Sequence, residues 1–174
     1  IFVVGQNNLS LYIDSTFGAV PAIASQVAKA YAVGIGGTKT EYEAIAQIYT
    51  ELVFQCPQAI TANESAAAGY PTWRYLFNAS FPNTQIIPDL SAFHSSEIPL
   101  VFGTYPQTGA TAQESALSQY IRGAWARFAK NPLAGPGWNA IGTFEGTDLG
   151  LLGTNGSSGV TVIKESDVDG RCGI

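Results

Sequence analysis

The stretch that most constrains the fold is Thr111 to Pro132, TAQESALSQYIRGAWARFAKNP. Its residues Leu117, Tyr120, Ile121, Ala124, Trp125 and Phe128 recur every 3.6 positions, with polar residues opposite. Thr111 and Glu114 have the spacing of a capping box, and Asn131-Pro132 marks the end. A long helix with one apolar stripe packs that stripe across a sheet. Strands for such a sheet can be read elsewhere. Ile1 to Val4 is a continuous apolar run closed by Gly5, as in a parallel strand buried on both faces. Thr72 to Phe77 alternates aromatic and β-branched residues behind Pro71, and Val160 to Ile163 alternates as well. The expectation is an α/β fold: a few mostly parallel strands with flanking helices, residues 1–174 forming a single segment.

More helices follow from period and punctuation. Val20, Ile23, Ala24, Val27, Ala28 and Tyr31 keep helical spacing behind Pro21, and Gly34, Gly36 and Gly37 end that element. A second capping box, Thr40 with Glu43, opens a helix expected to bury Ile45, Ile48, Tyr49, Leu52 and Val53. A third helix is expected from Pro57 to Gly69. Gln6 to Ser10 reads as a polar turn, Asn78 to Asp89 as a Pro- and Asn-rich loop, and Ala134 to Gly159 as largely irregular.

Charge narrows the partners. Charged residues make up 12% of the chain, about half the ~25% usual for a free-standing domain, which predicts that other material covers part of the surface. A net charge of -5 with scattered Lys and Arg argues against nucleic acid or an anionic membrane and favours an uncharged ligand. No stretch approaches the ~20 apolar residues of a membrane helix. The chain contains no methionine, and its opening in mid-strand reads as a segment cleaved or taken from a longer product. One histidine and two distant cysteines do not make a zinc site, and no cofactor motif is present.

The only histidine is His94, set among apolar residues in LSAFHSSEIPLVFG with Glu97 three positions on. Imidazole accepts and returns a proton near neutral pH, so His94 is the candidate general base. A surface histidine without a role is the plain alternative. Cys56 and Cys172 are either two buried thiols or a disulfide; a bridge would close a loop worth roughly 4–5 kcal/mol on the chain-entropy model. Asn-x-Ser acceptors stand at Asn8, Asn63, Asn78 and Asn155, with Asn63 and Asn155 in the most polar surroundings. They suit a secreted, extracellular glycoprotein.

The His94 segment resembles the histidine loop of the type-B carboxylesterase/lipase family, cholinesterase-like α/β-hydrolases with a fungal secreted branch. Thr50 to Pro57 (TELVFQCP), Tyr70 to Phe77 (YPTWRYLF), Tyr120 to Pro132 and Asp169 to Cys172 (DGRC) resemble its later blocks in the same order. The resemblance covers nearly the whole chain but only the C-terminal portion of such an enzyme. It implies part of an α/β-hydrolase fold, a Cys56–Cys172 disulfide, His94 as catalytic base and Glu97 as a supporting carboxylate. An ion pair of Glu97 with Arg74 or Arg122 is the alternative role. The triad acid of the family falls at Ser10, which has no charge to orient an imidazole; loss of that charge costs about 10⁴ in rate in a serine protease. Asp14, one helical turn on, is the substitute acid. A glycan on Asn8 would sit on this position.

The serine elbow G-x-S-x-G and its oxyanion hole are not found, and Gly156-Ser157-Ser158-Gly159 lacks the spacing and a preceding strand. The resemblance therefore implies a carboxylic ester hydrolase segment whose nucleophile lies on an N-terminal portion of the same hydrolase, its partner, acting on a small apolar ester. This chain alone is not expected to be active. The alternative is a non-catalytic, hydrolase-like binding or structural protein with a degenerate triad. Open sheet edges predict pairing with the remainder, self-association or rearrangement.

Overall fold

The computed structural model describes residues 7–87, 90–143 and 146–173. The expected strand Ile1 to Val4 therefore lies outside the described residues. Packing divides the chain into two compact units, one of residues 1–61 with 168–174 and the other of residues 62–167.

The first unit is helical. Residues Leu9–Phe17 form α1, so the polar turn expected over Gln6 to Ser10 is corrected: Ser10 is already in the first turn of a helix. Asn8 is the reason, because its Oδ1 accepts the Leu11 N–H at 2.9 Å and caps the helix. Helix α2, Pro21–Ala30, starts at its proline as expected, and Val27 and Tyr31 turn inward onto Tyr12, Ile13, Ile45 and Ile48. Thr40 caps α3, Glu41–Thr50, its Oγ1 accepting the Glu43 N–H at 3.1 Å.

Beyond Thr50 the expectation fails in two respects. The helix does not restart at Pro57; it runs through a π-turn, Glu51–Gln55, straight into α4, Cys56–Ala67. Wider i to i−5 bonding, such as Cys56 N–H to Glu51 O, admits one extra residue ahead of a proline that has no N–H to donate. Glu51, at the start of this turn, falls on the inward face of Ala44 and Ile48, seven and three positions on. Glu51 turns inward, 4% exposed, while Leu52 and Val53, expected inside, stand 47% and 41% exposed. The buried carboxylate is answered by Arg171, whose Nη2 meets Glu51 Oε1 at 2.6 Å, and by the Tyr31 hydroxyl, donating at 2.6 Å. Cys56 and Cys172 form a disulfide, Cα–Cα 5.2 Å, and Gln55 Nε2 donates to Val168 O at 2.6 Å. The chain's end, with the short helix α7, Ser166–Asp169, is thus tied to the π-turn.

The second unit holds the sheet. Strand β1, Arg74–Phe77, pairs in parallel with β2, Thr147–Leu152, and β2 pairs antiparallel with β3, Val160–Lys164. One of the two pairings among the described residues is therefore parallel. Strand β2 corrects the reading of Ala134 to Gly159 as irregular. Gly150 hid it: a side chain there would meet the Trp138 indole at 2.8–3.0 Å, so tertiary packing requires a residue that strand propensity disfavours. Helix α6, Ala112–Lys130, follows the expected bounds, and Leu117 and Ile121 bury against Leu152 and Phe77 of the sheet, with Phe81 and Tyr105. A five-residue helix α5, Ile98–Phe102, lies against α6, where Ser118 Oγ donates to Leu100 O at 2.7 Å.

Candidate active site

His94 lies on the connection from the C-terminal end of β1 to α5, the side of a parallel sheet where ligand sites gather. The connection is held at several points. Ser80, three residues past β1, donates from Oγ to Leu90 O at 3.0 Å, and Gln85 Nε2 donates to that hydroxyl at 2.8 Å. The Ser96 N–H then donates to Phe93 O at 2.9 Å, closing a four-residue turn with His94 second and Ser95 third. Ser95 has a φ of +70°, as the third residue of a type II turn requires. A serine there costs about 1 kcal/mol or more of backbone strain, retained because the flanks are fixed. Ser96 Oγ accepts the Phe93 N–H at 3.2 Å, and past the turn Leu100 is fully buried. The imidazole itself is exposed. A side chain on a pinned, strained turn and open to solvent can take a proton from a hydroxyl delivered to it.

Glu97 does not form the expected ion pair with Arg74 or Arg122. Arg74 Nη1 meets Glu165 Oε2 at 3.1 Å, and the Glu97 carboxylate accepts the Tyr75 hydroxyl. Desolvation raises the Tyr75 pKa first, with the charge of Glu97 and this hydrogen bond adding to it. Tyr75 escaped the sequence reading because a tyrosine in an alternating strand shows only as a packing residue. Its neighbour across the connection, twenty-two positions away, exists only in the folded chain.

Ser10 and Asp14 are in the first unit and His94 and Glu97 in the second. Ser10 and Asp14 are both exposed on α1 and line one cleft of about 510 Å³ with Ile13, Ala24, Ser25 and Glu41. Glu41 is a second residue the sequence reading missed: its Oε2 accepts the Leu9 N–H at 3.1 Å, placing a carboxylate beside Ser10. Of the sequon asparagines, Asn8 spends its oxygen on the α1 cap, Asn63 Nδ2 donates to Glu165 Oε1 at 3.4 Å, and Asn78 Nδ2 donates to Thr154 Oγ1 at 3.4 Å. Asn155 is exposed in a turn with φ +50°. No helix among the described residues is long and apolar enough to cross a membrane.

A three-stranded sheet flanked by helices, with a histidine turn at the end of a parallel strand, belongs with the α/β-hydrolases, and known proteins narrow this further. The Carboxylesterase family model matches residues 6–151. A chlorogenic acid esterase of Aspergillus niger is 33% identical over 95 residues, covering 53% of this chain and 19% of that protein. Secreted lipase 5 of Gibberella zeae is 36% identical over 91 residues, covering 50% and 17%. Among solved structures, a PNB esterase superposes on 94% of this chain and 32% of its own, with TM-score 0.63 and 27% identity. A thermophilic PNB esterase covers 99% and 34%, with TM-score 0.60 and 25% identity. The chain belongs to the carboxylesterase family. It spans about a third of these solved esterases, and its matches cover under a fifth of the two fungal relatives.

Proposed function

We propose that this chain is the histidine-bearing C-terminal part of a secreted carboxylic ester hydrolase, working with an N-terminal portion that carries the serine nucleophile. The observation that carries the reading is the family match across residues 6–151, with His94 inside it on a strained turn in the connection from β1 to α5. The serine attacks the carbonyl of an uncharged ester. His94 takes its proton, returns it to the leaving alcohol, and then activates water. The position of the orienting acid falls at Ser10, which has no charge, and Asp14 is the substitute carboxylate for that role. Glu97, held by Tyr75, supports the turn rather than the reaction. Secretion is supported by the sequons, the disulfide and the name of the Gibberella relative.

The test is hydrolysis of p-nitrophenyl acetate by this chain alone, by the chain co-folded with the N-terminal portion of a family esterase, and by that assembly carrying His94→Ala. Activity is expected only in the assembly, with His94→Ala lowering kcat at least ~10³-fold. No gain on assembly, or an indifferent His94→Ala, sinks the reading. A second reading, a hydrolase-like binding or structural protein, is favoured by Ser10 in the acid position and predicts that indifference.

A further inference from the structure

The second unit contains a cleft of about 310 Å³ between β1 and the C-terminal half of α6, walled by Trp73, Tyr75, Trp125, Phe128 and Trp138. Two prolines and a threonine complete it, and no charged residue among the described ones lines it. We propose that this cleft is a binding site for a flat, uncharged aromatic molecule of one or two fused rings.

The polar handles of its walls are already used. Trp73 Nε1 donates to Trp138 O at 3.1 Å and Trp138 Nε1 to Arg74 O at 2.8 Å. The Thr72 hydroxyl donates to Tyr70 O at 2.8 Å, and the Tyr75 hydroxyl to Glu97. The lining rings pack on one another edge-on or tilted: Trp73 to Phe128 at 5.7 Å, Tyr75 to Trp125 at 5.0 Å and Trp125 to Trp138 at a tilted 6.2 Å. Such geometry suits a further ring, whose electron-poor edge meets electron-rich faces. The volume lies at the lower end of small-molecule pockets.

The walls are also set in advance. A Cβ on Gly135, where φ is +73°, would lie 2.4 Å from the Trp73 ring, and one on Gly150 would lie 2.8 Å from the Trp138 ring. Glycine at both positions lets the two indoles lie flat against the backbone, and their N–H bonds hold them there. Ordering costs are thus met before a ligand arrives, the condition under which a small apolar molecule gains affinity. Of the lining residues, Phe128 is 42% exposed.

Ligand-observed NMR titration of the purified chain with 2-naphthol, competed by decahydro-2-naphthol, tests this. Saturable one-site binding is expected, at least tenfold tighter for the aromatic compound than for its saturated analogue. Trp125→Ala and the milder Phe128→Ala should each weaken it about tenfold or more, whereas Leu11→Ala, an exposed apolar site in the first unit, should not. Circular dichroism confirms that each variant is folded. Equal affinity for the saturated analogue, or binding unchanged in the folded Phe128→Ala variant, overturns the proposal. So does loss of 2-naphthol binding when the chain is joined to the N-terminal polypeptide, since the cleft would then seat that polypeptide.

Discussion

Glu114 shows how a single residue can be legible in one role and hidden in another. Its spacing from Thr111 predicts a capping box, and Thr111 Oγ1 does accept the Glu114 N–H at 3.0 Å. Its complete burial is tertiary: Asn83, from the connection after β1, donates to Oε1 at 3.1 Å, while Oε2 is buried without a partner. Desolvation raises this carboxyl's pKa, and the hydrogen bonds from Asn83 and Thr111 oppose it only in part. A raised folded pKa means that the folded chain holds the proton more tightly than the unfolded one. The stabilisation is therefore complete below the unfolded value of about 4.3 and is lost as pH rises through the folded value. Glu114→Gln, which keeps the shape and supplies a donor, should remove this slope and raise stability at pH 7 by about 1 kcal/mol. Urea unfolding at pH 4 and pH 7 measures it; a Gln variant less stable at pH 7 would show that the ionised carboxylate is the preferred form.

Among the elements, α6 was fully legible and β2 was not, for opposite reasons. Helix α6 carries its instructions within nineteen residues, since cap, period and closing proline are all local. Strand β2 is defined by neighbours remote in sequence: Arg74 to Phe77 alongside it, and the Trp138 indole lying over Gly150. Gly150→Ala should consequently cost about 1–3 kcal/mol, although alanine is the better residue for an isolated segment. The ring cannot yield without giving up its bond to Arg74 O. Chemical denaturation followed by tryptophan fluorescence reads the cost, and a neutral Gly150→Ala would mean that the indole can move aside freely. The π-turn belongs to the same class. Apolar spacing from Ile45 and Ile48 suggests Leu52 and Val53 for the inside, whereas the buried face runs through Ala44, Ile48 and the charged Glu51, whose partners Arg171 and Tyr31 come from remote parts of the chain.

At the scale of the whole molecule, the chain leaves its first unit at Thr61 and re-enters it at Val168. The Cys56–Cys172 bridge, 116 residues apart in sequence, ties the exit to the return. Replacing both cysteines with serine should lose roughly 4–5 kcal/mol, chiefly by freeing the unfolded chain. The Arg171–Glu51 pair and the Gln55 hydrogen bond should still seat the tail in the folded state. Urea unfolding of the double variant, with Arg171 protection followed by NMR, separates the two effects; an unchanged midpoint would remove the bridge from the account of stability. The amino-acid sequence by itself determined the α/β class, the starts of α2, α3 and α6, and the family resemblance, because caps, periods and short motifs are local. Only the tertiary structure decided that Tyr75 holds Glu97, that Glu41 lies beside Ser10, that Arg171 answers a buried Glu51 and that three tryptophans wall one cleft. Each of these joins residues far apart along the chain, and nothing in the order of residues encodes such a meeting until burial brings them together.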